Sequence, residues 1–249
     1  VLRRLLAFVV VLICAGSVVA YQISRPAQAP ADPRVFVPSA TFFLDFSPSY
    51  RTSVADAYYL AMVQYYGEHV NRDGRIDSLP QMVDLVTRLS PHFTRAYVFG
   101  ALAFADAGRP DLSVRLLERG FAANPAEYVF PSLLGYFSYR YGTGSKQEND
   151  AAGSRWYQRA AAIPGSPPYL LRLAAVLAGK GGEEEKAVVM WGQVYAAGDK
   201  YSRQKAVAGL DRILPKDKAA RMKAVAPLSQ TMPKAEFDAL IAELFKGYK

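Results

Sequence analysis

Two histidines are the side chains of this 249-residue chain with an ordinary pKa near neutrality, and they bound the chemistry it can perform. His69 ends a predicted helix, where an imidazolium sits well in the C-terminal dipole. His92 lies between Pro91 and Phe93 in a tight turn. A Ser-His-Asp or Cys-His site would need one of them, and no nucleophile motif accompanies either. The chain carries no glycine-rich phosphate loop, zinc-ligand spacing or dinucleotide fingerprint. The run Asn71-Arg72-Asp73-Gly74-Arg75-Ile76-Asp77 gathers side-chain oxygens, yet it lacks the alternation and the closing bidentate Glu of a calcium loop. Asp73-Gly74 predicts a turn. Glu183-Glu184-Glu185 predicts a helix start, where acids meet the positive end of the dipole. No pattern sets two acids on one helical face of an apolar cleft, as glycoside hydrolysis requires. No catalytic residue, cofactor or metal ligand is expected, and the chain reads as a non-enzyme.

What remains is chemistry for binding. Tyrosines cluster at Tyr58, Tyr59, Tyr65 and Tyr66, and again with Phe137 at Tyr136, Tyr139 and Tyr141. Tyrosine and arginine are suited to interface hot spots, although a tyrosine equally fills a core with its hydroxyl at the rim. The net charge of +8 favours anionic lipid headgroups, nucleic acid or acidic proteins. Its densest part runs from Lys200 to Lys223, where Lys200, Arg203, Lys205, Arg212, Lys216, Lys218, Arg221 and Lys223 face only Asp211 and Asp217. Two readings follow: a solvated helix face, or contact with anionic lipid.

These residues must be positioned by a chain that is 51% hydrophobic, enough to bury a sizeable core. Arg3 and Arg4 precede an apolar stretch from Leu5 to Gly16, followed by Ser17-Val18-Val19-Ala20. Residues 1–21 therefore read as a signal peptide cut after Val18-x-Ala20, or as an uncleaved signal-anchor spanning the membrane through residues 3–21. Either reading leaves the arginines in the cytoplasm and places the rest on the extracytoplasmic side. Nucleic acid is not an expected partner there. The lone cysteine, Cys14, excludes an intrachain disulfide. Lipid attachment at Cys14 would need small residues before it, where bulky Ile13 stands; the other reading is a small apolar residue inside a membrane helix. Residues 22–34, with Pro26, Pro30 and Pro33, predict an extended spacer. Residues 35–52, rich in aromatic and β-branched side chains and broken by Pro38, predict an extended lead-in with one or two short strands.

From Ser53 the pattern is helical. Ser53 and Asp56 are placed as a capping box, and Val54, Ala57, Tyr58, Ala61, Met62 and Tyr65 follow at helical spacing. A loop from Gly67 to Asp77 leads to a second amphipathic stretch stopped by Pro91. Further pairs are predicted over 96–107 with 110–124, 128–141 with 150–163, and 169–180 with 183–195. Pro91 and Pro125 stand 34 residues apart, a helical-hairpin period. Shorter helices follow over 205–214 and 216–225, and an amphipathic helix over 234–245 is expected to cap the stack.

The second pair resembles a tetratricopeptide repeat. Tyr97 matches the opening aromatic, Ala101 the small residue at the helix crossing, Gly108 the turn, Ser113 and Gly120 the small residues of the second helix, and Pro125 the closing proline. The third pair has Gly135, Gly153, Tyr157 and Ala160 in these roles, with a turn over 142–152 about six residues too long. The fourth has Ala175, Gly182, Ala187 and Trp191 and lacks the proline. The runs ADAYYLAMVQYYGEH, LSPHFTRAYVFGAL, LLERGFAANP and AAIPGSPPYL are also similar to uncharacterised bacterial proteins that join an N-terminal membrane segment to such repeats. The resemblance implies an all-α solenoid over 53–199, capped by helices over 200–249. It further implies that the first helix of each pair lines a concave groove containing Tyr59, Val63, Tyr66, Arg95, Val98, Leu102, Val129, Ser132, Tyr136, Tyr139, Arg140 and Arg172. The expected function is an extracytoplasmic interaction scaffold that holds a peptide or protein. The alternative is an accessory subunit of a larger bacterial membrane complex, held by its N-terminal helix.

Overall fold

The computed structural model describes residues 13, 16, 17, 36–46, 48–72, 74 and 76–248. It divides into two units, Val1–Phe36 and Val37–Lys249. The expected targeting segment, its cysteine Cys14 and the spacer over 22–34 lie almost wholly outside the described residues. Among those residues, no helix is long and apolar enough to cross a membrane.

The second unit is all-α and built from sequential helix pairs. A short helix α1 (Ala40–Phe46) and a 3-10 turn (Pro48–Tyr50) lead into α2 (Arg51–Val70) and α3 (Leu79–Leu89). The next pairs are α4 (Thr94–Asp106) with α5 (Pro110–Ala123), and α6 (Val129–Tyr141) with α7 (Lys146–Ala161). Then come α8 (Tyr169–Lys180) with α9 (Glu184–Ala197), followed by α10 (Lys200–Ile213), α11 (Lys218–Val225), the single turn α12 (Leu228–Thr231) and α13 (Lys234–Leu244). From α2 to α10 each helix packs against the next.

Four local expectations are corrected. The lead-in is helical where strands were expected: Pro38 precedes α1 rather than breaking it, and the Phe42 amide closes the first turn on Ser39. Ala40 and Phe43 then pack on α2 and α3 beside Ala55, Leu85 and Val86. Ser53 caps nothing, because α2 begins at Arg51 behind Tyr50. The same helix runs through Gly67 to Val70, its last turn held by His69, whose Nδ1 lies 2.8 Å from the Tyr65 carbonyl and whose ring packs on the phenol at 4.2 Å. Finally, α7 starts at Lys146, four residues before the expected Asp150. The Ser145 hydroxyl accepts from the Glu148 amide, and the Glu148 carboxylate accepts from the Ser145 amide, a capping box that satisfies two donors of the first turn. The connection is therefore short. The Asn149 amide closes it by donating to the Gly142 and Gly144 carbonyls at 2.9 and 3.0 Å.

Small residues let the pairs nest. At Gly120 a Cβ would meet Phe130 Cε1 at 2.3 Å and Tyr97 Cδ1 at 2.9 Å, so α5 accepts rings from both α4 and α6. Ser113, fully buried, donates to the Ala101 carbonyl at 2.6 Å and ties α5 to α4 at their crossing. Gly108 and Gly182 turn the chain with φ of 75° each, a conformation that a side chain opposes.

Different chemistry joins successive first helices and successive second helices. Along the second helices, arginines reach forward or back by one pair. Arg119 of α5 bonds Asp84 of α3 at 2.8 Å, Arg159 of α7 lies 4.7 Å over the Phe121 ring of α5, and Arg155 of α7 pairs with Glu183 before α9. Between the first helices α2 and α4 the contacts are aromatic, with Tyr59 and Tyr66 against Phe99. The C-terminal helices close the far end: Leu240 and Leu244 of α13 are buried in one cluster with Trp191, Tyr195, Leu210 and Leu228. Tyr195 donates to Glu243 at 3.0 Å, and Arg203 pairs with Glu236.

Candidate functional site

The residues assigned to a groove are spread over α2, α4, α6 and α8, and every one is half-buried or exposed. On α2, Tyr59 and Tyr66 straddle Phe99 of α4, with ring centroids at 6.2 and 5.5 Å. Tyr59 also packs on Phe93 at 4.8 Å. The Tyr66 hydroxyl donates to Asp106 Oδ2 at 2.6 Å. Burial first, and that carboxylate second, push the phenol up to about 12. Val63 and Leu102 add exposed apolar surface near these rings, at 36% and 48% exposure. Val98 is half-buried and Arg95 exposed on α4, and Val129 and Ser132 are half-buried on α6.

Further along α6, Tyr136 meets Tyr139 edge-on at 5.6 Å and Tyr141 at 6.2 Å. Both Tyr136 and Tyr139 also pack on the buried cluster that includes Tyr157 and Trp191, so each serves core and surface together. Arg140 lies with its guanidinium 5.5 Å from the Tyr141 ring centre. Arg172, on α8, stands apart from these groups. Its Nη1 donates to Ser202 Oγ at 3.1 Å, and its guanidinium covers the Tyr201 ring at 5.5 Å.

Those contacts mark a pocket that the sequence reading did not assemble. It lies between the first-helix positions α8 and α10, encloses about 320 Å³, and is floored by Trp191 of α9. Tyr169, Leu173 and Val176 enter from α8; Tyr201, Lys205, Gly209 and Arg212 enter from α10. Lys205 Nζ sits 5.3 Å from the Tyr201 ring centre. The start of α10 is set by Asp199, which accepts from the Ser202 amide at 2.8 Å. That bond, and more weakly Arg172, hold its carboxyl below the usual carboxylate range. The signal was present in the sequence: Tyr201, Lys205, Ala208 and Arg212 recur at the spacing of one helical stripe. It was absorbed into the reading of Lys200–Lys223 as one basic cluster.

That cluster does not form a single face. Lys205 and Arg212 border the pocket, Arg203 turns to Glu236 on α13, and Arg221 is buried, pairing with Asp211 and covering the Phe245 and Tyr248 rings. Lys223 borders a larger, mainly apolar recess of about 710 Å³ built by α9, the end of α10 and α11, with Val188, Val189, Ile213 and Leu214 in its lining.

Both histidines are placed structurally. His69 finishes α2 as described, and His92 Nδ1 meets Asn124 Oδ1 at 2.9 Å, joining the loop after α3 to the loop after α5. Gly74 takes φ 65° with its amide on the His69 carbonyl, a turn geometry; Asp73 and Arg75 lie outside the described residues. Among the described residues, no three acidic, histidine or cysteine side chains gather as a metal site. No family model matches the chain, and no match was found among curated proteins or solved structures.

Proposed function

We propose that the chain is a non-catalytic scaffold that holds an extended peptide or a protein surface along its first helices, on the extracytoplasmic side of a bacterial membrane. The observation that carries this reading is the row of half-exposed rings on that face, Tyr59, Tyr66, Tyr136 and Tyr139, each already seated against a neighbouring ring. Rings ordered before binding lose little entropy when a partner covers them, so more of the contact energy goes into affinity. Arg3, Arg4 and the apolar stretch behind them support the location, with the segment serving as anchor or as cleaved signal.

The test is capture of partners from solubilised envelope membranes by the full chain and by Y136A/Y139A/R140A. Because Tyr136 and Tyr139 also pack on the buried cluster, circular dichroism and thermal unfolding first check that the variant stays folded, and R140A, exposed on α6, is tested beside it. Partner recovery is expected to fall by about ten-fold or more, the effect of losing hot-spot contacts. Equal recovery by the two proteins would remove the face from consideration.

A further inference from the structure

The pocket between α8 and α10 is bordered by Arg172, Lys205 and Arg212, and no carboxylate lines it. Two other arginines of this region are neutralised, Arg203 by Glu236 and Arg221 by Asp211. Lys205 and Arg212, in contrast, form no ion pair among the described residues. Arg172 spends one N–H on a neutral hydroxyl, that of Ser202. Three positive charges thus border one recess whose lining carries no carboxylate, the nearest acid being Asp199 beside Arg172, above an apolar floor made by Trp191, whose own exposure is only 5%.

We infer that this end of the first-helix face selects an acidic segment of an extended peptide. Its carboxylates meet Arg172, Lys205 and Arg212, and an adjoining apolar side chain covers Trp191. This rests on the scaffold reading and names the chemistry of its partner. Converging charge at a solvated rim contributes mostly to encounter rate and discrimination, while the apolar floor supplies desolvation. A bilayer surface fits less well, because the cations border a recess between two helices over a sunken indole, not a projecting face.

The test uses the full chain in mild detergent, carrying W156F so that Trp191 is its one indole. A random peptide library is selected on this protein and, in parallel, on the same protein with K205E/R212E. Both substituted residues are exposed on α10, and circular dichroism checks that helicity is retained. The expected result is enrichment of peptides rich in Asp and Glu. A synthetic copy of the leading sequence should shift Trp191 emission, bind about ten-fold or more weakly to K205E/R212E, and weaken with rising ionic strength. Peptides enriched without acidic residues, and lost with Y136A/Y139A/R140A, would overturn the acidic selection and leave the scaffold standing. A library with no binders at all would overturn both. If soluble short-chain phosphatidylglycerol shifts Trp191 emission and the acidic peptide does not, the recess takes a lipid headgroup and the peptide inference fails.

Discussion

Gly209 of α10 lies so close to the Trp191 indole of α9 that a Cβ on it would stand 2.3 Å from Cε2 and 2.5 Å from Cζ2. The ring is packed among buried neighbours of the same cluster, and the recess it floors is the space into which it could move. G209A therefore forces the indole out or the helices apart, and is expected to cost about 2 kcal/mol, in the range of core overpacking. Urea unfolding followed by circular dichroism measures it. Because Trp191 floors the pocket, its emission should move in the same variant. Wild-type stability with unchanged emission would mean that this contact does not set the helix spacing.

Asn124 joins one pair to the next. Its amide donates to the Pro91 and Gly120 carbonyls, each at 3.0 Å, and its oxygen faces His92 Nδ1. Asn124 is buried and His92 exposed, so the two truncations are unequal. N124A removes two hydrogen bonds at a buried position and should cost about 2 kcal/mol, whereas H92A should cost about 0.5 kcal/mol. Thermal unfolding of both variants and of the double variant checks the order. H92A as damaging as N124A would contradict the geometry.

The order of the pairs was legible because their stops are covalent features: Pro91 and Pro125 end two second helices in register, and Gly108 and Gly182 turn between helices. Small residues at Ala101, Ser113 and Gly120 likewise showed where helices cross. Alpha1 was hidden because Phe42, Phe43 and Leu44 have no helical neighbours in sequence to declare their period; the surface that decides it, Leu85 and Val86, is supplied by α3. The start of α7 was hidden in the polar run after Gly142, although Ser145 and Glu148 carry the capping signature. The recess at Trp191 draws on α8, α9 and α10, so no single stretch reports it. Trp191 was read as repeat core, which it is, and its upper face also floors the recess.

The capping box at α7 gives a third prediction. S145A removes the acceptor for the Glu148 amide and should destabilise α7 by about 1 kcal/mol. Amide exchange should quicken over residues 146–149 first. The box is also sensitive to acid. The Ser145 amide holds the Glu148 carboxyl below its ordinary 4.5, so its contribution is present above that value and fades as pH falls through the lowered one. A wild-type minus E148A difference that stays constant down to strong acid would show that the ionised carboxylate plays no part.

Tyr66 and Asp106 tie α2 to α4 within the proposed binding face, and their pairing predicts a signature at alkaline pH. A phenol raised from 10.0 to about 12 binds its proton more tightly in the folded chain than in the unfolded one. Its contribution to stability is therefore complete below pH 10.0 and is lost as pH rises through about 12. The stability difference between wild type and Y66F should be flat up to the lower value and shrink above it. Near-ultraviolet absorbance should show one late-ionising phenol fewer in Y66F. D106N separates the two causes, since it removes the negative acceptor but leaves the ring where it is. Because burial is the larger cause and the carboxylate the smaller, the Tyr66 midpoint in D106N should fall only part of the way towards 10.0. An unmoved midpoint would show that the negative charge of Asp106 carries no weight, and a complete return would show that burial carries none.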